Sequence, residues 1–147
     1  MSLPDLSTLS GLDQLRLMLD GHIPGAPIAE LTGFTMESAE NGKVVFVGTP
    51  SRATYNPLGT VHGGWMATLL DSACGCAVHS TLKPGQTYTT LELKTVFHRA
   101  LKADTPVRVE GIILQPGSRA AFSSAEMRGL DGKLYATATS TCLVMAR

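Results

Sequence analysis

The chain has 147 residues, with 12 basic and 12 acidic side chains, 44% hydrophobic residues and three cysteines. A chain of this length forms one domain with a hydrophobic core and needs neither disulfides nor a structural metal. A disulfide-stapled mini-protein is therefore excluded. The zero net charge lacks the basic excess of nucleic-acid binders and the acidic excess of disordered chains, so composition indicates no partner.

Cysteine spacing and the N-terminus predict a cytoplasmic location. Cys74 and Cys76 are too close in sequence for a zinc knuckle or a redox pair, and together with Cys142 they are interpreted as reduced, buried thiols. No basic segment precedes an apolar stretch at the N-terminus, as it would in a signal peptide. The most apolar window is about 14 residues, shorter than the ~20 that span a bilayer.

The N-terminal third is predicted to begin with a flanking helix. Hydrophobic spacing and turn residues predict a helix at 8–20 and a Pro/Gly-rich bend at 22–27. A short apolar turn at 28–31 and two strands at 34–39 and 43–47 follow. Ser10 is the predicted N-cap of the helix and Gly21 its stop. Asn41-Gly42 between the strands is a hairpin signal, which Asp131-Gly132 repeats later. Residues 1–25 are taken as an N-terminal flanking helix and 26–147 as a single domain.

One helix and four long strands make up the rest. The helix runs from His62-Gly63-Gly64 to Ser80 and is apolar almost all the way round, which predicts burial on most sides. The strands are predicted at 87–98, 104–115, 119–128 and 133–145. The last one presents a face of small residues that would let a helix approach closely: Ala136, Ala138, Ser140, Cys142 and Val144. Without regular strand–helix alternation, an α+β antiparallel sheet wrapped around one central helix is favoured.

Asp71 is the least expected residue in this helix. It is the only charged side chain between Arg52 and Lys83, and it lies mid-helix, where it can cap nothing. Burying a carboxylate costs several kcal/mol unless it is paired or hydrogen-bonded. Two interpretations stay open: a nucleophile or general base, or a carboxylate that faces solvent or bonds to a neighbouring strand.

The segment His62-Gly63-Gly64 is the second signal. Glycines at a helix start let a ligand approach the backbone, where free N–H groups and the helix dipole favour an oxyanion or a polarised carbonyl. The alternatives are a tight turn and a structural histidine. Gly63 lies about 12 Å from Asp71 along one helix, at ~1.5 Å per residue, so one acyl group cannot contact both in the same chain. Two antiparallel helices around a two-fold axis would bring them together, which predicts a homodimer with composite sites.

The segment that contains both signals resembles a known protein family. The pattern N-x-x-G-x-x-H-G-G, six residues and then Asp, over Asn56–Ala73, resembles the PaaI-like and THEM2-like branch of the hotdog-fold acyl-CoA thioesterases. The resemblance extends from about Ile28 to Val144. It implies the hotdog fold, an antiparallel β-sheet wrapped around one long central helix, and hydrolysis of acyl- or aryl-acyl-CoA. Coenzyme A is then part of the substrate, with no other cofactor and no metal, and the assembly is a homodimer or a homotetramer.

The resemblance also implies residue roles. Asp71 would attack the thioester carbonyl or activate a water, while the Gly63 N–H polarises that carbonyl. Asn56 would orient the carbonyl or water from the Gly63 chain, with His62 a further catalytic candidate and Gly64 a substrate-binding one.

A hydroxyl after the helix, on the Asp71 chain, would position the water. Thr90 is favoured over Thr89 because alternation places it on a polar face with Glu92 and Lys94. Related 4-hydroxybenzoyl-CoA enzymes carry Glu at the position of Asp71 and Thr four residues later. Gly75 stands there in this chain, which leaves water-holding to Thr90 and disfavours aryl specificity of that kind.

Coenzyme A carries phosphates, and the charge of the chain is unevenly distributed. Residues 1–82 hold 3 basic and 7 acidic side chains, whereas residues 83–147 hold 9 and 5. Arg99, Lys102 and the turn Gly117-Ser118-Arg119 are the candidate phosphate-binding residues. The alternative for each is a solvated strand end.

The hotdog fold hosts other functions, so alternatives are weighed on motifs. A dehydratase is disfavoured because its His-Phe-Pro-type motif is absent. A non-catalytic acyl-CoA sensor would lose the carboxylate and carry a DNA-binding extension, yet it remains the alternative to a thioesterase. No nucleic-acid or membrane partner is expected.

Overall fold

The fold is a six-stranded antiparallel sheet packed around one long helix. The computed structural model describes residues 2–147, and within them the helices are α1 (Gly11–Leu19), α2 (Pro27–Thr32) and α3 (Gly63–His79). The strands are β1 (Phe34–Glu40), β2 (Lys43–Gly48), β3 (Gln86–Phe97), β4 (Val107–Gln115), β5 (Ala120–Gly129) and β6 (Leu134–Ala146). The predicted architecture is therefore confirmed.

The strand order places β1 and β3 at the two edges of the sheet. The order is β1-β2-β4-β5-β6-β3, and each neighbouring pair is antiparallel. The predicted Asn41-Gly42 hairpin joins β1 to β2, and Gly42 adopts a φ of 84° that favours glycine. After β2 the chain runs through α3 to β3. Strand β3 pairs with β6 and forms the far edge of the sheet.

Helix α3 packs against the sheet through small residues on several strands. The small face predicted for the last strand is buried at every position from Ala136 to Val144, as expected. A sharper close approach occurs on β4, where a Cβ on Gly111 would collide with the carbonyl of Ala73. The buried Ser123 hydroxyl of β5 donates to the Cys74 carbonyl at 3.0 Å. The helix is thus held against the middle of the sheet by both packing and a buried hydrogen bond.

The strand predicted at 104–115 begins later than expected. Asp104 adopts a left-handed φ of 63°, and Pro106 cannot donate to a strand ladder, so pairing begins at Val107. The helix predicted at 8–20 is present as α1. Ser10 caps it by accepting from the Asp13 N–H, and Gly21 follows with a φ of 76°.

The C-terminal end of α3 anchors the N-terminal helix. The Gly11 N–H donates to the Leu82 carbonyl at 3.0 Å, and the Gln14 Oε1 lies 3.1 Å from the His79 Nε2. The Gln14 amide in turn donates to the Leu6 carbonyl at 2.8 Å. Of the helices in residues 2–147, none is long and apolar enough to cross a membrane.

The burial of His79 makes stability depend on pH. Burial lowers the pKa of His79 to about 4, below its ordinary 6.5, and the positive Arg147 adds to the shift. The unfolded chain therefore binds a proton first as the pH falls. We expect the free energy of unfolding to decrease as the pH falls from about 6.5 to 4. The decrease should reach up to about 3 kcal/mol, at ~1.4 kcal/mol per pH unit.

Urea unfolding at several pH values across this window measures the effect. The variant His79→Gln should lose most of the slope, whereas His22→Gln, at an exposed position, should retain it. An unchanged slope in His79→Gln would assign the effect to other groups.

Candidate active site

Asp71 lies midway along α3 and is bound by a neighbouring strand through one oxygen. The Thr90 hydroxyl of β3 donates to Asp71 Oδ1 at 3.1 Å. Within residues 2–147, Asp71 forms no ion pair and its Oδ2 accepts no hydrogen bond. The side chain is only half-buried. The carboxylate is thus held in place by Thr90 while one of its oxygens stays available for chemistry.

A β-bulge at Leu91 decides which threonine reaches Asp71. Thr90 pairs with Cys142, but the register then resumes with Glu92 opposite Thr141, so Leu91 is an extra residue on β3. The bulge inverts the alternation that follows it. The predicted polar face shared by Thr90 with Glu92 and Lys94 is therefore wrong.

Thr90 instead lies on the helix side of β3. Leu93 and Thr95 share that side, since they pair with Ser140 and Ala138 on the buried face of β6. Thr89 is exposed and does not contact Asp71.

The N-terminal end of α3 carries one free backbone donor. The His62 Nδ1 caps the helix by accepting the Gly64 N–H at 2.7 Å, so the ring proton of a neutral His62 lies on Nε2. Trp65 N–H donates to the His62 carbonyl at 3.0 Å. Gly63 is the first residue of the helix, and its N–H finds no acceptor within residues 2–147. Gly63, rather than Gly64, is the donor left for a ligand.

Asn56 organises the loop that faces Gly63. Its Oδ1 accepts from the N–H groups of Leu58 at 2.9 Å and Thr60 at 3.2 Å, and its Nδ2 donates to the Thr60 hydroxyl at 2.9 Å. The second Nδ2 hydrogen remains available. Asn56 and Gly63 line a cavity of about 450 Å³, which Phe97 and Arg99 also line.

The predicted site residues form two separate groups within one chain. We name Asn56 and Gly63 the electrophile half-site, and Asp71 and Thr90 the carboxylate half-site. The cavity beside the electrophile half-site is not lined by Asp71 or Thr90. Gly63 abuts Phe97 near the end of β3, whereas Asp71 contacts Thr90 further back along that strand.

The candidate phosphate-binding side chains also lie in two separate places. Lys102 Nζ donates to the Gly59 carbonyl at 3.0 Å, next to the loop of Asn56, and Arg99 lines the same cavity. The turn Gly117-Ser118-Arg119 lies at the opposite end of the sheet. The Arg119 carbonyl accepts a hydrogen bond from the Val144 N–H, and the Arg99 N–H donates one to the Tyr135 carbonyl. Because Tyr135 and Val144 are nine residues apart on β6, Arg99 and Arg119 are separated by about 30 Å along the strand, at ~3.3 Å per residue.

The close approach of Tyr88 explains why a glycine stands at position 75. A Cβ at this position would lie 2.8 Å from the Tyr88 hydroxyl, so a threonine would require Tyr88 to move. Tyr88 also lines a second cavity, of about 900 Å³, which sequence reasoning missed. The signal for this cavity in the sequence is a stripe of Ser72, Cys76 and His79 at helical spacing on a mostly apolar helix.

Comparisons with known proteins agree with this fold and show the family of the chain. Residues 58–136 match the family model of the thioesterase superfamily. Human acyl-coenzyme A thioesterase 13 is 28% identical over 108 residues, which cover 73% of this chain and 76% of that protein. A phenylacetic acid degradation-related protein from Ralstonia eutropha JMP134 superposes with a TM-score of 0.80 at 30% identity, covering 87% of this chain and 97% of that one.

The E. coli PaaI protein shares the fold at 18% identity, with a TM-score of 0.82 over 93% of this chain and 97% of its own. The chain belongs to the thioesterase superfamily. It is a hotdog-fold, PaaI-like thioesterase, and thus a thioester hydrolase.

Proposed function

We propose that the chain hydrolyses acyl-CoA thioesters at composite sites of a homodimer. One observation carries the proposal: the free Gly63 N–H and the Thr90-bound Asp71 lie on one helix, but in separate half-sites. The name of the acyl-coenzyme A thioesterase relatives supports coenzyme A as the leaving group. The charge of the second half of the chain and Arg99 beside the cavity support binding of its phosphates.

The chemistry follows from the two half-sites. The Gly63 N–H and the positive end of the α3 dipole stabilise negative charge on the thioester oxygen. Asp71 either attacks the carbonyl carbon or removes a proton from a water that attacks it, and Thr90 holds the carboxylate or the water in position. The tetrahedral intermediate then expels the coenzyme A thiolate, which takes up a proton. When water is the nucleophile, the free acid forms in this step. When Asp71 is the nucleophile, the acyl group stays on Asp71 as a mixed anhydride, and a water then hydrolyses this anhydride and restores the carboxylate. The products of both routes are a free acid and coenzyme A.

The edge strand β3 supports the dimer. It has 12 residues, and its unpaired edge exposes Leu91, Val96 and Phe97 by 61, 44 and 49%. Edge strands of monomeric proteins are usually short, charged or covered. Antiparallel pairing of two β3 strands would continue the sheet and set the two α3 helices side by side. The electrophile half-site of each chain would then face the carboxylate half-site of the other.

The outer face of the sheet supports a further pairing of dimers. Ile112, Leu114, Phe122 and Met145 expose 42, 58, 43 and 37% of their surface at one end of strands β4 to β6. Several exposed apolar side chains at one end of a sheet face are typical of an interface when they form a patch. Light scattering on the purified chain distinguishes two copies from four.

Release of free thiol from a panel of acyl-CoA thioesters tests the activity. The panel contains acetyl-, butanoyl-, octanoyl-, dodecanoyl- and phenylacetyl-CoA. Release above the uncatalysed rate from at least one member supports the proposal. No release from any member, with retained binding of acyl-CoA, would favour a non-catalytic acyl-CoA-binding protein.

Thr90 is expected to act by positioning. Thr90→Val removes the hydroxyl that binds Asp71 with little change of volume. We expect kcat to fall by about tenfold, less than the ~10²-fold that a misplacement of about 1 Å can cost, because Asp71 itself remains. Thr90→Ser keeps the hydroxyl and should retain most of the kcat. Thr89→Val serves as the matched control, because Thr89 is exposed. Equal kcat in Thr90→Val and Thr89→Val would assign no role to the contact.

A further inference from the structure

A second cavity lies between α3 and the N-terminal elements. It has a volume of about 900 Å³, within the range of ~300–1,000 Å³ that small-molecule sites occupy. Its walls come from α1, the Pro24–Pro27 bend, α2 and β1, closed by one stripe of α3 and by Tyr88. Most of these residues precede residue 58, where the match to the thioesterase superfamily begins.

The cavity begins next to the carboxylate half-site. Ser72, which lines it, directly follows Asp71 on α3, and Tyr88 lies two residues before Thr90 on β3. From Ser72 the cavity extends along the helix to His79, a distance of about 10 Å at ~1.5 Å per residue. Asp71 and Thr90 do not themselves line the cavity, but their neighbours Ser72 and Tyr88 do, so a thioester held at Asp71 would lie close to this end of it.

The walls suit an uncharged, apolar guest. Met18, Ala29, Met36 and Phe46 are among the lining side chains, and methionine adapts to flexible chains. Of the lining residues in the described part of the chain, Glu30 alone is an acid, and it is exposed. No lysine or arginine of residues 2–147 lines the cavity, so it does not suit phosphate.

The polar groups of the α3 stripe are neutral at physiological pH. Burial raises the pKa of the Cys76 thiol to about 12 and lowers that of His79 to about 4. Cys76 is therefore not a thiolate nucleophile beside Asp71. His79 is in addition occupied by its contact with Gln14.

We propose that this cavity holds the acyl chain of the substrate, and that long aliphatic acyl groups are the preferred class. The inference rests on the proposed function and adds the substrate class to it. A depth of about 10 Å exceeds what a short acyl group fills. Each further methylene buried in the cavity is expected to raise kcat/KM by about threefold to fourfold until the cavity is full.

A bulky residue in the wall tests the proposal. Ala29 lies on α2 and lines the cavity, so Ala29→Trp should fill much of it. The ratio of kcat/KM for dodecanoyl-CoA to that for butanoyl-CoA should be well above one in the wild type and fall at least tenfold in Ala29→Trp. Ala146→Trp, at an exposed position at the end of β6, should leave the ratio unchanged. Thermal melting confirms folding, and Ala29→Leu replaces Ala29→Trp if the latter does not fold.

The outcomes separate this inference from the proposed function. If acyl-CoAs are hydrolysed but the ratio is the same in Ala29→Trp and wild type, the acyl assignment of the cavity is overturned and the thioesterase proposal stands. If no acyl-CoA is hydrolysed, calorimetric binding of dodecanoate decides the cavity alone. Binding by the wild type that is lost in Ala29→Trp supports the cavity, and absence of binding overturns it.

Discussion

Asp71→Asn is expected to lower kcat for acyl-CoA hydrolysis by at least ~100-fold, with fold and coenzyme A binding retained. The amide has the shape of the carboxylate, and its oxygen can still accept the Thr90 hydroxyl. It can neither attack a carbonyl nor take a proton from water. Thiol release gives kcat and KM, and calorimetry with coenzyme A gives binding.

Glu92→Gln is the matched control for this variant. Glu92 carries the same kind of carboxylate, two residues beyond Thr90, but the bulge at Leu91 places it on the outer face of the sheet. Its replacement should leave kcat within a factor of about two, as surface changes usually do. A kcat of Asp71→Asn close to that of Glu92→Gln would remove Asp71 from the mechanism.

Gly63→Pro is expected to lower kcat by about 10²–10³, the effect of removing one oxyanion donor. Proline is well accepted at the first position of a helix, and His62 has the extended backbone, φ −60° and ψ 136°, that precedes a proline readily. The substitution therefore removes the Gly63 N–H without breaking α3.

The matched control is Gly63→Ala, which keeps the N–H. Its Cβ would lie 2.9 Å from Phe97 Cζ, and the ring, 49% exposed, can move aside. Because both variants displace Phe97, the difference in kcat between them isolates the backbone donor. Equal losses in the two variants would attribute the effect to Phe97 instead.

The same variants test whether each site is shared between chains. In a heterodimer of Asp71→Asn with Gly63→Pro, one site combines an intact Gly63 with an intact Asp71 and the other combines both defects. Random mixing after unfolding and refolding should restore about a quarter of the wild-type activity, since half of the dimers then carry one working site. Heterodimers that form, as native mass spectrometry would show, but remain inactive would place each site within one chain.

The functional interest of this arrangement lies in the spacing of α3. A single straight helix holds the donor and the carboxylate about 12 Å apart, at ~1.5 Å per residue, so neither can serve the other. A two-fold axis between adjacent helices would turn this separation into two complete sites. The exposed edge of β3 would then contribute to both assembly and catalysis.

Much of the architecture is readable from local patterns. Alternation, helical spacing and turn glycines predicted every strand and the helices α1 and α3 to within a few residues, and the displaced start of β4 follows from Asp104 and Pro106. The short apolar turn predicted at 28–31 is instead the helix α2, which has a proline in its first turn. Asp71 could be singled out because a lone carboxylate in an apolar helix conflicts with burial. The glycines before the helix could be singled out because a helix start has unpaired N–H groups. These signals act over a few residues, so they can be recognised in the sequence without knowledge of the fold.

The sequence by itself determined the antiparallel sheet around one helix and the residues of the two half-sites as candidates. Only the tertiary structure decided how they are arranged. The bulge at Leu91 set the face of Thr90, and strand pairing placed Arg99 about 30 Å from Arg119, at ~3.3 Å per residue. Packing of α1 and α2 against α3 left the 900 Å³ cavity. Register, bulges and cavities arise from contacts between distant segments, and no periodicity within one segment encodes them.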